Sequence, residues 1–140
     1  MGVMALFFAN YTNYSFFAKN STKTAIQTHF SSITQALLHC KSISGEFPTA
    51  NNTLVSALEC PADPPYSIDG YGGFFTPKAP RGFSEYRAFD DGGAFYIQTS
   101  IDASNTYAQV LQDLEQNYSD NQYDTFLQDS KQVARYYISR

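Results

Sequence analysis

The sequence predicts an α+β fold, with a long N-terminal α-helix packed on a small antiparallel β-sheet. Three observations point there. From Val3 to Cys40 there is neither proline nor glycine. Within that span Ile26, Phe30, Ile33, Leu37 and Cys40 are spaced 4, 3, 4 and 3, which puts them on one helical face. Downstream, two aromatic-bearing stretches flank Asp90-Asp91-Gly92-Gly93, the pattern of a β-hairpin.

The helix is the first element. The side opposite its apolar face carries Lys23, Thr24, Gln27, Thr28, Ser31, Thr34 and Gln35, and Phe7, Tyr11, Tyr14 and Phe17 form an earlier aromatic stripe. A single helix of about 37 residues would be ~55 Å long at 1.5 Å per residue, more than a small globule can cover. Residues 1–23 are therefore expected to protrude from a head formed by residues 24–140. Gly45, Pro48 and the polar run Thr49-Ala50-Asn51-Asn52 end the pattern. Gly45 can adopt the left-handed conformation that closes a helix, Pro48 blocks its continuation, and Phe47 can anchor the exit in the core.

A short helical turn is expected through Leu54, Val55 and Leu58. Pro61 to Gly82 holds five of the six prolines and four of the eight glycines, so it reads as an irregular loop with brief strands at most. Phe83–Phe89 and Ala94–Ile101 are the hairpin strands. Beyond Asp102 the period becomes helical again. Tyr107, Val110, Leu111 and Leu114 suit one helix, and Tyr123, Phe126, Leu127, Val133 and Ala134 suit another. Residues 103–140 thus read as a helical C-terminal extension, with a small closing strand at Arg135–Ser139 as the alternative for its end.

Composition narrows the function. A chain of 140 residues is one domain on length. Twelve Phe and eleven Tyr accompany only 16% charged residues, which suggests that some rings meet neighbouring subunits. A net charge of −4, with nine scattered Lys and Arg, argues against dedicated nucleic-acid binding. Cys40 and Cys60 have no CxxC or Cys/His cluster around them, so they form a disulfide in an oxidising compartment or are buried thiols in a reducing one. His39 and Cys40 are adjacent on a helix, with side chains ~100° apart, a poor geometry for a catalytic dyad. No GxSxG, P-loop or HExxH motif is present. Neither an enzyme nor a cofactor or metal is expected. Asp90-Asp91 and Asp120-Asn121 with Asp124 read as a turn and a cap rather than Ca²⁺ ligands.

Three stretches carry a resemblance. Gly2 begins the first, followed by the apolar run Val3 to Ala9 and then Tyr11-Thr12-Asn13-Tyr14, ahead of a helix that turns polar. The second is Ser44-Gly-Glu-Phe-Pro-Thr49 with Leu54-Val-Ser-Ala-Leu58 behind it. The third is Gly93–Asp102, preceded by Tyr86. In this order they resemble type IV pilins and the pseudopilins of type II secretion.

The resemblance implies a structural subunit of a pilus-like filament. It would be held in the inner membrane before assembly, then polymerise head-to-tail with identical subunits into an extracellular fibre. Gly2, Val3, Met4, Leu6, Phe7, Phe8, Tyr11 and Tyr14 would pack in the fibre core. Assembly from the outer face of the inner membrane, where thiols oxidise, favours a Cys40–Cys60 disulfide. That position lies further from the C-terminus than the usual pilin disulfide. A leader peptide, a processed Phe and the Glu after it are absent, so the apolar start reads as the end of a longer membrane-spanning segment. The proline that many members carry where Ala9 or Asn10 stands is also missing. The alternatives are a pseudopilin that pushes secreted substrates, or a secreted disulfide-bonded module whose Tyr71–Phe75 loop contacts a carbohydrate or protein.

Overall fold

The structure is a computed structural model that describes the backbone from Gly2 and the side chains of residues 17–140. The fold is α+β: an N-terminal helix, α1 (Gly2–Ser44), and a five-stranded antiparallel sheet. Ile26, Phe30, Ile33, Leu37 and Cys40 are all fully buried, so the periodicity of the sequence is the contact face of α1.

The sheet is built from β1 (Asn51–Leu54), β4 (Arg87–Asp90), β5 (Phe95–Asp102), β6 (Tyr123–Gln128) and β7 (Lys131–Ser139), in the order β1-β4-β5-β7-β6. A second, two-stranded sheet pairs β2 (Glu59–Cys60) with β3 (Tyr66–Ser67). Between β1 and β2, Val55–Ala57 makes one 3-10 turn, with Val55 buried. The hairpin β4–β5 closes through its Asp-Asp-Gly-Gly turn, where the Asp90 carboxylate accepts from Gly92 N–H and that of Asp91 accepts from Gly93 and Ala94 N–H. These aspartates therefore cap their own turn.

The expectation of a helical C-terminal extension is corrected. Only α2 (Ala108–Asp113), continued by one 3-10 turn over Leu114–Asn117, is helical after residue 103. Residues 123–139 form the hairpin β6–β7, and β7 pairs with β5 along its whole length, from Asp102↔Lys131 to Phe95↔Ser139. Tyr136 then stacks on Phe30 of the buried face of α1 and Ala134 joins the same core, where a helix in their place would leave the edge of β5 unpaired. The alternative of a closing strand over Arg135–Ser139 is correct in type, but that strand lies inside the sheet rather than at its edge.

Both helices cover one face of the sheet. α2 buries Val110 and Leu111 there and the 3-10 turn after it buries Leu114, and the buried Tyr123 hydroxyl donates to the Leu111 carbonyl. Gln132, also buried on this side, accepts from Gln112 of α2 and donates to Thr125. The polar groups of this corner are therefore matched rather than orphaned.

Candidate functional site

The long helix is tied to the head at its C-terminal end. Gly45 follows Ser44 with φ +86, and its N–H donates to the Lys41 carbonyl at 2.8 Å, a single-bond left-handed cap. Phe47 stacks on Phe95 of β5 with centroids 4.8 Å apart, while Lys41 lies over its ring at 4.7 Å. Pro48 is buried. Cys40 and Cys60 are joined by a disulfide that fastens the last turn of α1 to β2, with Cα atoms 5.7 Å apart.

Towards the N-terminus the contact fades. Ile26 is the first buried residue of α1 among those described, and none of residues 17–25 is buried; Phe17 is 65% exposed. Among the described residues, no helix is long and apolar enough to cross a membrane. The side chains assigned to the filament core (Gly2, Val3, Met4, Leu6, Phe7, Phe8, Tyr11 and Tyr14) lie outside the described residues.

Further along the same helix, a cleft of about 480 Å³ opens between α1 and the loop that follows β3. Ser32, Gln35, Ala36 and His39 form the helical wall, at successive turns of one face. The facing wall is aromatic. Tyr66 and Tyr71 stack with centroids 3.8 Å apart, and His39 approaches Tyr71 at 6.0 Å.

The loop is held by its own backbone. Gly70 N–H donates to Phe74, Tyr71 N–H to Ile68, and Phe74 N–H back to Tyr71, while the Asp69 carboxylate accepts from Thr76 N–H. That last bond holds the Asp69 carboxyl below its ordinary range. Gly70, Gly72 and Gly73 all have positive φ, a path that side-chain-bearing residues follow only under strain. Sequence reading singled out Tyr71 and its glycines but missed Tyr66, which lies in a proline-rich run without periodicity. Gln35 was assigned only to the solvated face of α1.

The sheet face away from the helices carries a second aromatic array. Phe30 of α1 stacks on Tyr136, so strand alternation sends Arg135 and Tyr137 to the opposite side. There Tyr96 contacts Phe89 at 5.0 Å and Tyr137 at 5.3 Å, and the Arg135 guanidinium lies over both Tyr96 and Phe126. Arg140 covers Tyr137 at 4.2 Å. The rings are thereby largely covered by one another and by the guanidinium groups.

Both cysteines are in the disulfide, and His29 Nδ1 is hydrogen-bonded to the Tyr86 hydroxyl at 2.7 Å. Among the described residues, no group of three or more His, Cys, Asp or Glu converges as a metal site would require. No protein-family model, curated protein or solved structure matches the chain.

Proposed function

We propose that this chain is a structural, non-catalytic subunit of a type IV pilus-like filament, assembled by bundling of N-terminal helices. The observation that carries this reading is the one-sided anchoring of α1. Among the residues whose side chains are described, its buried face runs from Ile26 to Cys40, where the disulfide and the Gly45–Pro48 exit fasten it to the head. None of residues 17–25 is fully buried, and the sequence ahead of them begins with the uncharged run Gly2–Ala9.

An apolar run of that kind gains free energy by leaving water, and equivalent helices of neighbouring subunits are a ready partner. Repeated head-to-tail contacts of this type do not close on themselves and generate a fibre. In this reading the inner membrane holds the run before assembly, and the head is displayed on the cell surface.

Negative-stain microscopy of surface-sheared material tests the reading. Fibres ~50–80 Å wide are expected, the width of a helical core with one layer of small heads. The double variant Phe7→Asp/Phe8→Asp should abolish them while the purified head keeps its circular dichroism. Normal assembly of that variant, or soluble monomer alone from the parent chain, would overturn the proposal.

A further inference from the structure

We propose that the cleft between α1 and the Tyr66–Phe74 loop is a binding site for a neutral sugar, one pyranose ring or a disaccharide. This inference stands on the cleft alone and does not depend on filament assembly.

Size comes first. The cleft measures about 480 Å³, within the range of small-molecule sites and too small for a folded partner. Its walls differ in chemistry. One is made of aromatic rings, with Tyr71 44% exposed despite its stack on Tyr66. The other presents Ser32, Gln35 and His39 in a row along α1, with Ala36 between them leaving room. None of these three polar side chains makes a hydrogen bond within the described residues, so their donors and acceptors are available. The Tyr66 hydroxyl is buried and also lacks a partner, a deficit that native structures rarely tolerate without a use.

Charge narrows the ligand class. No Asp, Glu, Lys or Arg lines the cleft, although the chain carries 22 such residues, nine basic and thirteen acidic. A phosphate, carboxylate or ammonium ligand would enter without a counter-charge. A pyranose has the complementary build: a C–H face for an aromatic ring and a rim of hydroxyls for Ser, Gln and His. An extended proline-rich peptide also uses aromatic grooves, but it presents few hydrogen-bonding groups to a row of three polar side chains.

The site is also preformed. The four backbone and carboxylate hydrogen bonds of the Gly70–Thr76 loop fix Tyr71, and the opposite wall is a helix locked by the disulfide. Little ordering is left to oppose binding.

Saturation-transfer NMR on the full chain tests this, in a detergent without a sugar headgroup. Maltose, cellobiose, lactose and di-N-acetylchitobiose are the probes, and a proline-rich peptide is the competitor class. Binding of at least one sugar is expected, with Tyr71→Ala and Gln35→Ala each weakening it about tenfold or more and Tyr71→Phe retaining it. Tyr71 and Gln35 are exposed, and circular dichroism of each variant checks that the fold is intact. Leu127→Ser, on the far edge strand β6, should bind as the parent does. Three results would each overturn the proposal: no transfer to any of the sugars, transfer insensitive to both alanine variants, or peptide binding at Tyr71 in place of sugar.

Discussion

Phe30 of α1 and Tyr136 of β7 stack nearly parallel, with centroids 4.9 Å apart and planes 8° from coplanar orientation. The pair joins the N-terminal helix to the last strand of the chain, and Tyr86, immediately before β4, meets the same Phe30 ring edge-on at 5.8 Å. Three segments far apart in sequence therefore share one ring. The last 38 residues are part of the core that holds α1, rather than an appendage to it.

Phe30→Ala should accordingly be among the most damaging single changes. The residue is fully buried, and removing its ring leaves a cavity bounded by the helix and two other segments. A loss of about 3–5 kcal/mol is expected from urea denaturation. Tyr136→Phe keeps the stacked ring and should stay within about 0.5 kcal/mol of the parent. A similar small effect for Phe30→Ala would mean that α1 does not pack on β7.

The Cys40–Cys60 bond closes a loop with a sequence separation of 20 residues. Restricting the unfolded chain to that extent stabilises by about 3 kcal/mol. Both positions are fully buried, so the paired substitution Cys40→Ala/Cys60→Ala is cleaner than serine, which would add buried hydroxyls. Chemical denaturation of that variant, and of the parent under reductant, should show the same loss. An unchanged midpoint in both would show that the bond contributes nothing to stability.

His29 offers a pH test. Burial holds its imidazole below the ordinary histidine value of 6.5, and Tyr86, pushed well above 10 by its own burial, stays protonated. The protonated tyrosine hydroxyl and the neutral imidazole share one hydrogen bond at Nδ1, 2.7 Å long. The unfolded chain takes up a proton on this residue more readily than the folded one. Its contribution is complete above pH 6.5 and declines as the pH falls through the lower folded-state pKa. Between about pH 7 and 5 the parent should lose stability more steeply than His29→Gln, measured as denaturation midpoint against pH. Parallel profiles would remove His29 from the acid response.

Legibility in the sequence follows local periodicity. The face of α1 was readable because Ile26 to Cys40 repeats over four turns with no competing signal, and the β4–β5 hairpin because two glycines mark its turn. The β6–β7 hairpin was not. Tyr123, Phe126 and Leu127 are spaced like a helical face, yet tertiary pairing with the long edge of β5 prevails over that local pattern. The cleft was half-readable: Gly70-Tyr-Gly-Gly announces an unusual loop, whereas its apposition to Ser32, Gln35 and His39 exists only once the disulfide and β2–β3 bring the loop against α1.

The turn that hid this hairpin supplies a last prediction. Gln128 pairs with Lys131, leaving Asp129 and Ser130 as a two-residue loop with φ +53 and +63. Positive φ at both central positions is the type I′ geometry, whose twist suits a two-residue hairpin and whose usual residues are Asn-Gly. Serine in this conformation places its Cβ close to backbone, which costs about 1–2 kcal/mol, whereas glycine enters it freely. Glycine also gives the unfolded chain more freedom, which offsets part of that gain. The replacement Asp129→Asn/Ser130→Gly should therefore stabilise by about 0.5–1 kcal/mol, raising Tm by about 2–5 °C in a chain of this size. The Ser130 carbonyl accepts from Ala103 N–H at 3.0 Å, and that bond survives because it involves backbone alone. A lower Tm for the variant would mean that the chain does not turn at these two residues.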